Sequence, residues 1–264
     1  MKKKRMTWRE LQAVDPQILD SWWSFARRGE GGNAKFHGNC IPQVVRNTAL
    51  RYTVPGDVAW DPMCGSGTAP DVWKTLGLDG VGSDLVPVRE EDFRANALTA
   101  ELWYVEGGNP EYGGLCVTDG PPDLFDFETC HMVQANLLFM HPPYADIVTF
   151  NEGNPDDLSN ITDMDKFMTT MAKVVTNLSR QVAPRGYVVL LCGDIYKKSA
   201  VYPLSNLMME QWRCLPEFVL KNHIVKNIAN NRFNANRVNL MYSRHARFDT
   251  SRFKHEDIWV FRKK

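Results

Sequence analysis

Residues 58–77, VAWDPMCGSGTAPDVWKTLG, constrain this chain more than any other stretch. A short apolar run, VAW, ends in an acid, Asp61. A loop holding Gly65 and Gly67 follows, then a segment of helical character that Gly77 closes. Glycines directly behind a strand let the backbone approach a ligand closely, and the start of the next helix presents free N–H groups. A nicotinamide fingerprint would place glycine or alanine at position 70, which is Pro70. A phosphate loop would need Gly-Lys-Ser/Thr, and no such sequence follows these glycines. What remains is a strand–loop–helix unit built from Asp61, Pro62, Met63, Cys64, Gly65, Ser66, Gly67 and Thr68.

The rest of the chain repeats the alternation of strand and helix. A helical start is expected over 7–29, running into the RRGEGGN loop at 27–33, and a second helix over 42–53, beginning at Pro42. GVGSDL at 80–85 is a strand ending in Asp84, and a helix is expected over 88–100. GGLCVTDG at 113–120 holds a third strand ending near Asp119, and ANLLFMHPPY at 135–144 a fourth. Met168, Met171, Val174, Val175 and Leu178 fall at helical spacing within 163–182. YVVLLCGD is a continuous apolar run, as in a strand buried on both faces of a parallel sheet. A helix near 203–212, a strand at 217–225 and an edge strand in EDIWVFRK complete the pattern. Such alternation predicts one doubly wound α/β domain, with 145–162 and 226–252 as its main loops.

Composition narrows the class of partner. With 44% hydrophobic and 23% charged residues the chain is an ordinary globular one, and no apolar run approaches the roughly 20 residues of a membrane span. MKKKRMTWRE is basic but has no apolar segment behind it, so no secretory signal is expected. The six cysteines form no C-x-x-C pair, which argues against a disulfide framework and a zinc site and for a reducing cytoplasm. The net charge is zero but unevenly spread. Residues 101–170 hold 13 acidic residues and one basic, whereas 221–264 hold 11 basic and three acidic. An anionic partner near the basic ends of the chain is expected.

The loop at 61–68 closely resembles the glycine loop of S-adenosylmethionine-dependent methyltransferases, in the branch that acts on amino groups of nucleic-acid bases. His141-Pro142-Pro143-Tyr144 resembles that branch's catalytic motif, in which Asp, Asn or Ser usually stands where this chain has His141. The motif follows a hydrophobic strand about 80 residues after the glycine loop, the family's order. The resemblance spans residues 36 to 263. It implies a Rossmann-like, mostly parallel sheet with a C-terminal antiparallel strand. A single domain over 1–264 follows, with residues 1–35 as a helical extension and 36–264 as the catalytic core.

The resemblance also assigns roles. Asp84, 17 residues beyond Gly67, would accept hydrogen bonds from the cofactor's ribose, and Asp119 would lie near its adenine. Phe36, His37, Asn39 and Pro42 would close over its methionine end. At the catalytic motif, the first side chain and a Pro-Pro carbonyl would take the two N–H bonds of the target amine and aim its lone pair at the methyl group. The prolines stiffen that loop, and Tyr144 would stack on a base turned out of its helix. Neutral His141 offers one acceptor nitrogen for the same task.

The implied cofactor is S-adenosylmethionine, the implied partner DNA, with RNA as the alternative, and no metal or membrane is implied. The choice between N6 of adenine and N4 of cytosine stays open, as does oligomeric state. No separate recognition domain is expected, so target contacts would come from 145–162 and from KNIANNRFNANR at 226–237. A non-catalytic cofactor- or nucleic-acid-binding subunit is the rival from a different class.

Overall fold

The computed structural model describes residues 4–108, 114–120, 130–198, 200–228, 251 and 253–264. Helix α1 (Trp8–Val14) begins at a capping box, in which Thr7 and Glu10 satisfy each other's backbone amides. It stops far short of residue 29. Pro16 disfavours helical backbone at Asp15, which is extended. The chain then forms β1 (Trp22–Trp23), whose Trp23 is fully buried. Helix α2 (Pro42–Tyr52) starts at Pro42, as expected.

The central elements follow the sequence reading closely. They are β2 (Val58–Asp61), α3 (Thr68–Leu76), β3 (Asp79–Asp84) and, later, β8 (Ala135–Met140), α4 (Met164–Arg180), β9 (Val182–Cys192), α5 (Leu204–Arg213), β12 (Phe218–Asn227) and β13 (His255–Lys263). Gly77 closes α3 in the left-handed conformation. Where the sequence pattern predicts a helix over 88–100 there is only the short strand β4 (Phe93–Arg94), flanked by turns. Tertiary chemistry overrides propensity there. The Arg89 guanidinium grips Asp92 through two 2.7 Å bonds and Asp71 through one of 2.6 Å, which pins the segment as a turn.

The main sheet has eight strands in the order β1-β12-β13-β9-β8-β2-β3-β4. All neighbours run parallel except β13, which is antiparallel to both β12 and β9. The fold is therefore a doubly wound, mostly parallel α/β sheet with its last strand reversed. That strand is interior, not an edge. Ile258-Trp259-Val260-Phe261 is a continuous apolar run, and its residues feed the cores on both faces of the sheet. An antiparallel trio, β5 (Ala100–Val105), β6 (Leu115–Asp119) and β7 (Cys130–Met132), forms a separate sheet in the order β6-β5-β7. A two-stranded ribbon, β10 (Ile195–Lys197) and β11 (Ala200–Tyr202), precedes α5.

Helices cover both faces. On one, Val44, Val45 and Ala49 of α2 and Val72 and Trp73 of α3 pack on Leu137, Phe139, Val189 and Leu191. On the other, Phe167, Met171 and Leu178 of α4 and Met208 and Trp212 of α5 pack on Leu138, Met140, Val188 and Leu190. Each fully buried side chain of this size is worth about 1.5–3 kcal/mol. The ends of β2 and β8 are thus held on a stiff double-sided core. Among the described residues, no helix is long and apolar enough to cross a membrane.

Candidate active site

The strand order reverses at β2: β3 lies on one side of it and β8 on the other. In an open α/β sheet, the loops leaving such a point diverge and leave a crevice at the carboxyl ends of the strands. The glycine loop follows β2 and the His141 loop follows β8, with Trp60 paired to Leu138 in register. Two segments about 80 residues apart in sequence thus face one cleft of about 300 Å³.

One wall is built largely from backbone. Asp61 is buried, and its Oδ1 takes the Met63 N–H at 3.1 Å. Asp84 takes the Gly65 N–H at 2.9 Å and the Val86 N–H at 3.2 Å, tying the glycine loop to the end of β3. Burial raises the pKa of both carboxyls, that of Asp61 well above the usual carboxylate range. Gly65 and Gly67 have φ of +52° and +73°. A Cβ on Gly65 would lie 2.8 Å from the Phe36 ring, and one on Gly67 would lie 1.9 Å from Cζ of Arg89.

The 28–40 segment wraps the outside of this loop. Arg28 bonds the carbonyls of Gly31 and Cys40 at 2.6 and 2.5 Å. The Asn33 N–H reaches Oγ of Ser66 at 3.2 Å, and the Thr68 hydroxyl donates to Oδ1 of Asn39 at 3.0 Å. Phe36 stacks on Phe150, with ring centroids 5.8 Å apart, joining this wrap to the loop beyond Tyr144.

The facing wall is built from side chains. His141 Nε2 lies 3.2 Å from the Tyr144 hydroxyl, which donates to Oε1 of Glu256 at 2.9 Å. Lys226 Nζ donates to the other oxygen of Glu256 at 2.5 Å. The His141 and Tyr144 rings meet edge to face, with centroids 5.6 Å apart. Burial lowers the His141 pKa and raises that of Tyr144 well above the phenol range. Burial pushes the Glu256 carboxyl up, but the Lys226 charge, helped by His141 and Tyr144, outweighs it and leaves the group below its usual value. Pro142 and Pro143 carry no N–H, so their carbonyls have fewer local donors to satisfy them. Ala145, just past the motif, is a buried non-glycine residue at φ +50°. That conformation costs roughly 1–2 kcal/mol, a strain of the sort that collects at functional loops.

Most residues singled out in the sequence reach the cleft: Phe36, Asn39, Asp61 to Ser66, Thr68, Asp84 and His141 to Tyr144 all line it. Four do not. His37 is exposed beside it, and Pro42 is buried in the first turn of α2. Gly67 is turned toward Arg89, and Asp119 instead accepts the Asn96 N–H at 2.8 Å and the Thr99 hydroxyl at 2.9 Å. Asp119 thereby positions Asn96, which does line the cleft. Tyr144 has its hydroxyl committed to Glu256, so a stacking role would use the ring alone.

Sequence reasoning missed Cys40, Leu85, Val86, Val88, Asn96 and Glu256, whereas Asp156, also at the cleft, lies in the 145–162 segment expected to contact the target. Reading straight on from Asp84 would have found Leu85 and Val86. Nothing local marks Glu256, 112 residues from its partner Tyr144. Of the proposed target-contact segment 226–237, residues 229–237 lie outside the described residues.

Fold and cleft together define an α/β protein built to hold a small ligand across the carboxyl ends of its central strands. No protein-family model matches the chain, and no curated protein does. Among solved structures it is similar to TrmN from Thermus thermophilus, at 15% identity over 86% of this chain and 50% of that one, with a TM-score of 0.48. It is also similar to an S-adenosylmethionine-dependent methyltransferase from Geobacter sulfurreducens, solved in complex with S-adenosylhomocysteine. There the identity is 9% over 88% of this chain and 94% of that one, with a TM-score of 0.44. A third is a proposed DNA modification methylase, also from Thermus thermophilus, at 20% identity over 50% of this chain and 44% of that one, with a TM-score of 0.33. The chain spans about half the length of TrmN and less than half of the methylase.

Proposed function

We propose that this chain transfers a methyl group from S-adenosylmethionine to an exocyclic amino group of a nucleic-acid base, N6 of adenine or N4 of cytosine, in DNA. One observation carries the reading: a glycine loop and a buried imidazole beside two prolines line one cleft. The cleft also suits the cofactor chemically. Asp84 supplies a carboxylate for hydroxyl groups, Leu85, Val86 and Val88 offer an apolar wall, and the Phe36 ring packs on the bare face of Gly65. Bound there, S-adenosylmethionine supplies an electrophilic methyl group.

The chain's own residues supply the rest. Phe36 and Phe150 cover the glycine loop and limit water. His141 and a carbonyl of the Pro-Pro segment accept the N–H bonds of the target amine and turn its lone pair out of the ring plane. The target nitrogen gains a methyl group and loses one proton, and His141 accepts that proton. The unbridged cysteines fit work in a reducing cytoplasm.

The test is transfer of labelled methyl by the purified protein to duplex DNA, single-stranded DNA and RNA, followed by mass spectrometry of the nucleosides. N6-methyladenine or N4-methylcytosine in DNA is the expected product. Label confined to RNA would replace the substrate, and S-adenosylhomocysteine binding without any transfer would favour a non-catalytic subunit.

A further inference from the structure

The geometry points to a positioning relay: the Lys226–Glu256 pair, acting through the Tyr144 hydroxyl, holds His141 in the tautomer protonated at Nε2 and leaves Nδ1 as its bare acceptor. The purpose of the relay rests on the transferase reading, but its existence does not.

The argument is a count of hydrogens. The Lys226 ammonium can only donate, and it fills Oε2 of Glu256 at 2.5 Å. An ionised carboxylate can only accept, so Oε1, 2.9 Å from the Tyr144 oxygen, takes the phenol's single hydrogen. The Tyr144 oxygen then has only lone pairs to offer His141 at 3.2 Å, and Nε2 must be the donor. A neutral imidazole carries one N–H. Nδ1 is therefore unprotonated, and nothing among the described residues bonds it.

The opposite polarity would need a neutral carboxylic acid 2.5 Å from an ammonium, against the Lys226 charge that holds Glu256 ionised. The side chains of Lys226 and Glu256 are only 12% and 15% exposed, so water competes little for these bonds. Gly193 makes room for the relay. A Cβ there would sit 3.2 Å from the Tyr144 ring and 3.3 Å from Cγ of Glu256. Glu256, Tyr144 and Lys226 come from three separate segments and meet in one hydrogen-bonded chain that ends at His141.

A sharp consequence follows for Glu256→Gln, which keeps the shape and removes the charge. Lys226 would hold the amide oxygen, turning the amide N–H toward Tyr144. The phenol would then donate to Nε2, and His141 would switch to the form protonated at Nδ1, losing its acceptor. Turnover should fall about 10²- to 10⁴-fold, the usual worth of a positioned base.

Nitrogen-15 NMR of the histidine rings in the intact protein, at a pH where His141 is neutral, tests this directly. The expected result is a hydrogen-bonded Nε2–H in the unsubstituted protein and protonated Nδ1 in Glu256→Gln. Should the second protein fold poorly, Tyr144→Phe serves instead, with loss of the protected Nε2–H signal. A His141 already protonated at Nδ1, or ring signals unmoved by either substitution, would overturn the relay. A protein with the expected ring signals that methylates no nucleic acid would leave the relay standing and overturn the transferase reading.

Discussion

The two walls of the cleft are made in different ways. The glycine-loop wall is local and made of backbone: Asp61, Gly65 and Asp84 lie within 24 residues and are joined through amide N–H groups. The His141 wall is assembled from side chains delivered by distant strands, with Tyr144 and Glu256 112 residues apart. A wall of backbone tied down in this way suits a constant ligand, because its shape is fixed before any ligand arrives. A wall of side chains sets chemistry, because proton position depends on which groups converge. The two should therefore fail separately.

The largest effect expected is at the side-chain wall. His141→Ala should cut turnover about 10²- to 10⁴-fold and leave S-adenosylhomocysteine affinity, read by calorimetry, unchanged. Near-normal turnover would remove His141 from the chemistry. The mirror experiment is Gly67→Ala. Its new Cβ meets Arg89 and its φ of +73° is strained, so the Arg89–Asp92 pair must yield. Urea unfolding should show a loss of roughly 2–4 kcal/mol, together with weakened cofactor binding. An unchanged unfolding midpoint would contradict the described loop.

Acidity separates the walls more gently. Burial lowers the His141 pKa, so the neutral form persists down to a pH below the ordinary value of ~6.5. Turnover should stay level through neutrality and fall about tenfold per pH unit only once the pH drops below that lowered value. Of the groups facing the ring, the Lys226 charge holds the Glu256 pKa below its usual value and burial holds that of Tyr144 well above the phenol range. A decline beginning above ~6.5 would mean the imidazole is not desolvated. The smallest contrast lies within the backbone wall. Asp84→Ala should weaken cofactor binding about 10- to 100-fold, whereas Asp119→Ala, outside the cleft, should change it less than about threefold. Equal effects would return Asp119 to the ligand.

The same division explains what the sequence revealed. Asp61, Gly65 and Asp84 are legible because strand, glycine loop and strand-end acid succeed one another without interruption. His141 is legible because it opens a compact motif directly behind β8. Glu256 is not, since it gains its role only when β13 is laid beside β12 and β9. The 88–100 turn reads as a helix in sequence because Asp71, 18 residues from Arg89, meets it only in three dimensions. The last strand reads as an edge, although Ile258-Trp259-Val260-Phe261 is too uniformly apolar to leave one face to water.

The position of β13 also has a temporal meaning. Strands β9 and β12 cannot close the sheet between them until residues 255–263 slot into the gap, and the same strand delivers Glu256. In chain order β13 is the last strand of the sheet, made after both strands it joins. While the chain is being synthesised, the glycine-loop wall can take shape long before His141 has its partners. The glycine-loop wall should therefore form early and the Glu256–Tyr144–His141 chain last, so that an unfinished chain lacks the groups that fix His141.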